Sequence, residues 1–540
     1  MLTSTAGGAF KLGACVAAVA ILGVGLGFTV ASKEAFGFAT RLPVPPGSPK
    51  TAEVTVFGVS CPRAGSCVAT GVYGASRSAT SGAPVVASEV SGRWVSALKP
   101  PLPSDATNAR GALLAAISCP SVGDCVAIGM YPTGRTVATL KPYAVAEAKG
   151  KWSNAKELPL PANLAKGLGA GPITVFSVSC ASVRACTVVG QYPVSDVKAE
   201  AFIDTEMNGS WSAAQARMPR DAPVFGSSSL KSISCHDTGD CEAAGWYFDG
   251  AGVSPAVLSE TAGKWSAVKV NIPSNGELQG ADNSINTITC PTRSECVVGG
   301  SYDTTAGVEG FFDDVTGKIW SKPTEAKLPI AASAHQDDHG ESGLLGIHAV
   351  SCSTPLHCAA GGAFISSVDK VPDSYSAITY TRSGRAWLPG LTPGLPPGSA
   401  RPSLQYSNVV GASCQPSGCT IVGTYYDRYS YGSFSATPAS LPSPPVIRKI
   451  TERIGAMTLS LRPPSATGGL PIIRYQYSVD AGSLWKNSTS GASTTIVLTH
   501  LVAHHTYRLS VRAVTEEGFS AGSRVVVATA RDEQQRRSPA

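Results

Sequence analysis

The chain has 540 residues, 43% of them hydrophobic and only 15% charged, with 57 glycines and 39 prolines. This composition favours many short strands joined by turns over long helices. The net charge of +6 is spread along the chain, with no basic run ahead of Arg536 and Arg537 in the tail, which argues against nucleic acid as a partner.

Leu12 to Ala31 is a run of twenty uncharged, mostly apolar residues behind Lys11. It is long enough to span a bilayer and equally readable as a signal peptide. Residues 1–33 are therefore expected to form one hydrophobic helix that exports the chain or holds it at the outer face of a membrane. Small-residue cleavage sites occur at Thr29-Val30-Ala31 and Gly37-Phe38-Ala39. The stretch from Ala35 to Pro43 looks like the end of a repeat unit. Cleavage after Ala39 is expected to remove a strand that completes the fold, which favours an uncleaved anchor.

Fourteen of the fifteen cysteines then fall into seven close pairs: Cys61/Cys67, Cys119/Cys125, Cys180/Cys186, Cys235/Cys241, Cys290/Cys296, Cys352/Cys358 and Cys414/Cys419. Their recurrence every 55 to 62 residues marks one supersecondary unit copied many times. Six pairs enclose five residues and the last encloses four. That suits a crosslink across the mouth of a hairpin and matches no common zinc spacing. Disulfides in turn imply an oxidising compartment.

Each unit opens with a short alternating strand ending in Ser-Cys or Thr-Cys. A turn and the second cysteine follow, and then a strand of the form Cys-x-x-x-Gly-x-Tyr, as in Cys125/Gly129/Tyr131; the sixth unit has Phe364 in place of the tyrosine. A third strand leads through a Gly-x-Trp turn into a fourth, which carries Trp94, Trp152, Trp211, Trp265, Trp320 or Trp387. Seven such units predict a seven-bladed β-propeller over residues 34–440, with the tyrosines and tryptophans wedged between blades. The seventh unit lacks its Gly-x-Trp, so the N-terminal stretch is expected to supply its missing strand and close the ring.

The run Ser-Cys-Pro-x-x-x-x-Cys-Val-Ala, at Ser60 to Ala69 and Ser118 to Ala127, resembles a cysteine-paired repeat of exported bacterial proteins expected to be propellers. The strand layout resembles kelch repeats, although the kelch double glycine is mostly missing. This resemblance covers roughly residues 35 to 440 and implies a scaffold, not an activity.

A proline cluster at Pro442, Pro444 and Pro445 marks a linker over residues 441–446. Residues 447–530 resemble a fibronectin type III domain, through Leu459 to Pro464, Gly468 to Ile472, Tyr475 to Ser478, and Leu501 to Ala513. The resemblance implies a seven-stranded sandwich in which Tyr507 is the corner tyrosine packed on Leu501. Leu461 stands where that family usually has tryptophan, and Trp485 is a candidate to refill the space. Residues 531–540 read as a disordered tail.

Function is sought where the repeat symmetry breaks. The acids before the Gly-x-Trp turns, Glu89, Glu147, Glu206, Glu260 and Asp314, recur with Arg93, Lys151, Lys264 and Lys318 after the glycine; they are expected to form exposed ion pairs across the hairpin. Strand parity puts the cysteine turns and Gly-x-Trp turns on one face. The longer second-to-third loops and inter-blade connections then share the other face, where ligands should bind. One departure there carries His335, Asp337, Asp338, His339 and Glu341, the ligand types of zinc or manganese, and is a candidate metal site; no other cofactor is implied. A second carries Tyr426, Asp427, Arg428, Tyr429 and Tyr431, suited to stacking on sugars or to a protein hot spot. No nucleophile elbow or phosphate loop is present. The expectation is a non-enzymatic surface or secreted protein that binds an extracellular glycan or protein. The alternative is a glycosidase or lyase using loop-face carboxylates.

Overall fold

The computed structural model describes residues 39–531. Within that range it omits 50–51, 75–81, 135–139, 154, 166–172, 183, 318, 329–343, 366–374, 394, 397–405, 417, 428–429, 437–441, 466–471 and 516–517. The hydrophobic segment 1–33 lies outside the described residues. Among the described residues every regular element is a strand.

Seven antiparallel sheets follow one another along the chain. Each begins with an inner strand: Glu53–Arg63, Leu113–Ser121, Thr174–Ser182, Ser228–Asp237, Ser284–Thr292, Leu344–Thr354 and Ser407–Gln415. Each inner strand packs beside that of the next sheet, and the seventh packs beside the first, so the sheets close into a propeller-like ring. The core is divided among the spaces between neighbouring sheets. One cluster, for example, joins Val126 and Ile128 of the second sheet to Val188 and Phe202 of the third.

The paired cysteines are disulfide-bonded at all seven sites: Cys61 to Cys67, Cys119 to Cys125, Cys180 to Cys186, Cys235 to Cys241, Cys290 to Cys296, Cys352 to Cys358 and Cys414 to Cys419, with Cα atoms 3.9 to 4.1 Å apart. Each bond joins the end of an inner strand to the start of the second strand, across the mouth of their hairpin as the spacing predicts. The two ends of the bond are not equally covered. The second cysteines, Cys67, Cys125, Cys186, Cys241, Cys296, Cys358 and Cys419, are buried in every sheet, whereas the first cysteines Cys235 and Cys290 are only half-buried.

The serine before the first cysteine, present in six of the seven sheets, has a separate task. Ser60, Ser118, Ser179 and Ser234 each accept the amide proton of the first cysteine in the next sheet, Cys119, Cys180, Cys235 and Cys290, at 2.9 to 3.0 Å. Ser351 does the same for Cys414, and Ser413 for Cys61. Between the fifth and sixth sheets the Thr287 hydroxyl accepts from Val350 at 3.1 Å. Sulfur therefore ties each hairpin to itself, while hydroxyls tie each hairpin to its neighbour.

Closure follows the sequence expectation. Thr40–Arg41 pairs with Ser430–Ala436 and supplies the outer strand of the seventh sheet, Thr40 opposite Ser435 and Arg41 opposite Phe434. The pairing residues lie beyond Ala39, however, so cleavage after Ala39 would leave this strand in place, and strand loss gives no argument against that site.

Tyr131, Tyr192, Tyr247, Tyr302 and Tyr425 are fully buried, and the six half-buried tryptophans pack against the clusters shared by neighbouring sheets, as expected; Trp387, for example, stacks on Phe312 of the preceding sheet with ring centroids 4.0 Å apart. One further expectation is corrected. The acids beside the Gly-x-Trp turns form no ion pair with Arg93, Lys151 or Lys264. Glu147, Glu206 and Glu260 are buried instead, and desolvation holds these carboxyls above their ordinary range. Asp314 reaches into the next sheet, where Arg382 binds it at 2.6 Å.

Residues 446–531 form a separate β-sandwich. Val446–Arg453, Ala456–Arg462 and Thr495–Leu498 make one sheet; Arg474–Ser478, Lys486–Asn487, Thr506–Thr515, Gly518–Phe519 and Val526–Thr529 make the other. The Tyr507 hydroxyl accepts the Val502 amide proton at 2.8 Å, and Leu501 and Tyr507 both pack on the core. Leu461 itself fills the core. Trp485 does not refill it: the ring lies half-exposed, with the Arg512 guanidinium 4.4 Å from its centroid. Arg531 binds Glu452 at 3.0 Å; residues 532–540 lie outside the described residues.

Candidate functional site

The site begins with a glycine. In the repeat Cys-x-x-x-Gly-x-Tyr the second strand runs so close to the inner strand that a Cβ on Gly129 would lie 1.8 Å from the Leu113 carbonyl oxygen; at Gly71 the distance to the Thr55 oxygen would be 1.9 Å. Only glycine fits there. Immediately after the residue opposite this glycine, each inner strand carries one extra, unpaired residue, a β-bulge. A bulge bends the strand and re-aims a side chain.

The seven bulged residues are Phe57, Ala115, Phe176, Lys231, Asn286, His348 and Val410, and all of them line one cavity of about 180 Å³ at the centre of the ring. Each stands four residues before the first cysteine of its pair. The neighbouring columns repeat small or aliphatic residues, whereas this one changes chemistry from sheet to sheet. Lys231, Asn286 and His348 come from three consecutive sheets and make a polar arc. Val410, Phe57, Ala115 and Phe176 come from the other four and make an apolar arc. Among the described residues that line the cavity there is no carboxylate.

Within the polar arc, Asn286 donates to the Ser301 hydroxyl at 3.3 Å, and His348 Nδ1 lies 3.1 Å from Asn408 Oδ1. Lys231 Nζ sits 3.8 Å from the centroid of the Phe176 ring. Burial pushes its amine down to about 8, because the ammonium has exchanged water for an aromatic face and has no anion beside it. The column is legible in the aligned repeats, four residues before each first cysteine, but it lies on a strand, whereas the conspicuous symmetry breaks of the sequence lie in loops.

A second feature lies on the long-loop face. That face is correctly identified by strand parity: the cysteine turns and Gly-x-Trp turns meet directly on the opposite side, where the Gly92 amide donates to Gly65 O at 3.0 Å and the Gly150 amide to Gly123 O at 2.9 Å. Inter-sheet connections on the long-loop face are held by the buried tyrosines. Tyr131 donates to Asp105, Tyr192 to Asn163, Tyr247 to Asp221 and Tyr302 to Asn275, at 2.8 to 3.3 Å. In each case the acceptor stands two residues after a proline. The connection between the third and fourth sheets borders a cleft of about 380 Å³ lined by Arg217, Arg220, Pro223, Val224 and Phe248. At its edge Val197, Val224 and Phe225 are 92%, 92% and 73% exposed. The Lys198 ammonium fixes this edge by donating to the Val224 carbonyl at 2.6 Å.

Of the tyrosine-rich segment, Tyr426 pairs with Tyr431 and Asp427 with Ser430 across a hairpin between the second and third strands of the seventh sheet. Arg428 and Tyr429 lie outside the described residues, as do the side chains of Tyr426, Asp427 and Tyr431. The segment with His335, Asp337, Asp338, His339 and Glu341 also lies outside them. Among the described residues no three His, Cys, Asp or Glu side chains come together to hold a metal ion. No helix there is long and apolar enough to cross a membrane.

No family model matches the chain, and no curated protein does. Among solved structures, Drosophila semaphorin 2a matches over 93% of this chain and 99% of its own, at 6% identity and a TM-score of 0.35. A neuraminidase-like protein of a flat-faced bat isolate matches over 75% and 95%, at 8% identity and a TM-score of 0.35. A match to titin kinase with its flanking domains, at 20% identity and a TM-score of 0.16, covers 18% of this chain and spans 19% of the titin chain. Likenesses at these scores carry no functional weight.

Proposed function

We propose that this chain is a non-enzymatic extracellular binding protein: a seven-bladed, disulfide-stitched propeller that recognises a protein partner through its long-loop face, followed by a fibronectin type III module acting as spacer or second contact. Residues 1–33 would export it or hold it at the outer face of the membrane, and the seven disulfides suit the oxidising compartment outside.

The observation that carries this reading is the exposed apolar edge formed by Val197, Val224 and Phe225 beside a cleft on that face. Exposed apolar side chains clustered at a cleft and rimmed by Arg217 and Arg220 mark a protein-contact surface more than a sugar site. The glycosidase alternative needs two carboxyl groups about 5 to 10 Å apart, facing the substrate. The central cavity offers no carboxylate among the described residues that line it; on the long-loop face Asp105 and Glu157 both bind Lys141, at 3.1 and 2.8 Å, and the hydrolysis arm of the test decides between the two readings. The fibronectin reading of the sandwich is supported by the Tyr507 corner bond.

The test is binding of the purified ectodomain to arrays of secreted and surface proteins and of glycans, repeated with Val224→Asp combined with Phe225→Ser. Specific protein binding that the double variant abolishes is the expected result. Hydrolysis of aryl glycosides, or glycan binding indifferent to the double variant, would overturn it.

A further inference from the structure

The central cavity is a different place from the rim and has its own chemistry. Its polar arc presents a primary amine, an amide and an imidazole; its apolar arc presents two phenyl rings and a valine. Such a division, head on one side and body on the other, matches an amphiphilic ligand with one polar end.

The sign of that end is set by Lys231. It donates no hydrogen bond and has no ion-pair partner among the described residues; its one specific contact is the face of Phe176 at 3.8 Å. A half-buried ammonium with no counter-charge is costly, and a carboxylate brought into the cavity would offset that cost and form a charge-assisted bond. The volume of about 180 Å³ is below the range of about 300 to 1,000 Å³ for drug-sized ligands, so the occupant is small. A sugar ring would place hydroxyls against Phe57 and Phe176, where no acceptor or donor from the bulge column meets them.

We propose that the centre of the ring binds a small organic acid, its carboxylate on Lys231 in the arc shared with Asn286 and His348, its apolar body against Phe57, Phe176 and Val410. The seven bulges form the site: at this position each inner strand is freed from pairing with its neighbour, so side chains of differing chemistry converge without disturbing the repeat.

Benzoate is the probe, with benzyl alcohol as the uncharged analogue and inorganic phosphate as an anion lacking an apolar body. Calorimetry on the ectodomain should show benzoate bound at least tenfold more tightly than either. Lys231→Met should weaken benzoate at least tenfold, and Phe176→Ala should weaken it severalfold while leaving phosphate unchanged. Should Lys231→Met fail to fold, reductive methylation of the wild-type protein followed by mass spectrometry reads the same point, since benzoate should protect Lys231 and spare the surface lysines. Benzoate that does not bind, binds no better than benzyl alcohol, or leaves Lys231 labelling unchanged overturns the proposal. The Val224→Asp, Phe225→Ser variant should bind benzoate normally, so failure at the rim and failure at the centre are told apart.

Discussion

Ser413 and Cys61 stand 352 residues apart, yet the Ser413 hydroxyl accepts the Cys61 amide proton at 2.9 Å. This bond seals the junction between the last sheet and the first. It repeats, at the seam, the contact that joins Ser60 to Cys119 within the ring. A second seam bond runs from the Val56 amide to the Ser433 hydroxyl at 2.8 Å.

Ser413→Ala leaves the Cys61 amide without its acceptor and should cost about 1 kcal/mol in urea unfolding. Amide exchange at Cys61 should accelerate while the amide of Cys180, bound by Ser118, keeps its protection. Unchanged exchange at Cys61 would show that the seam is held without this bond.

The N-terminal strand can be tested by truncation. A chain beginning at Thr40 keeps the pairs with Ser435 and Phe434 and should melt close to the full ectodomain. A chain beginning at Pro43 also loses the buried Leu42 and should be less stable by roughly 2 to 4 kcal/mol, from lost apolar burial and an unpaired edge. Equal melting of the two would deny Thr40–Arg41 a closing role.

Asp204 gives a pH prediction. It is fully buried in the third sheet, at a position that holds Ala87, Val145 and Leu258 in other sheets. Burial, followed by the neighbouring Glu206 charge, raises its carboxyl to about 8, with the Ser212 amide opposing the rise. Between about 4 and 8 the folded chain holds a proton that the unfolded chain has released, so this group lowers stability as pH rises through that window and costs nothing below it. Asp204→Asn should therefore gain stability over the natural chain progressively from pH 4 to pH 8 and level off above. Parallel urea midpoints across that range would refute the assignment.

Tyr247 tests the locks on the long-loop face. Its hydroxyl donates to both carboxylate oxygens of Asp221, at 2.8 and 2.9 Å. Tyr247→Phe keeps the buried ring and removes only that bond, so a loss of about 1.5 to 3 kcal/mol is expected. Proteolysis near Val224 should become faster, because the connection that carries the exposed edge is released. A variant that resists protease as well as the natural chain would place the anchor elsewhere, for instance at Lys198.

The cysteine pairs, the glycine of the second strand and the closing N-terminal strand are legible in the chain because each obeys a local rule repeated at a fixed period. A hairpin crosslink needs two cysteines a few residues apart, and close strand approach needs a glycine. Parity of the strands is equally local, and it places the loop faces correctly. The sandwich reads similarly up to Tyr507, but Trp485 misleads, since a tryptophan in the sequence does not say which side of its strand is covered.

The fate of the acids could not be read in that way. Glu147 and Arg382 are ordinary charged residues in sequence; whether a carboxylate faces water or a neighbouring sheet depends on how two units pack.

By itself, then, the order of residues determined the repeat, its sulfur bridges and the way the ring is sealed, since all of these are short-range necessities imposed copy by copy. The tertiary structure alone decided that Phe57, Phe176, Lys231, Asn286 and His348 share one cavity. Those residues are spread from position 57 to position 348, and only closure of the ring turns a bulged residue of each strand into the lining of a common space.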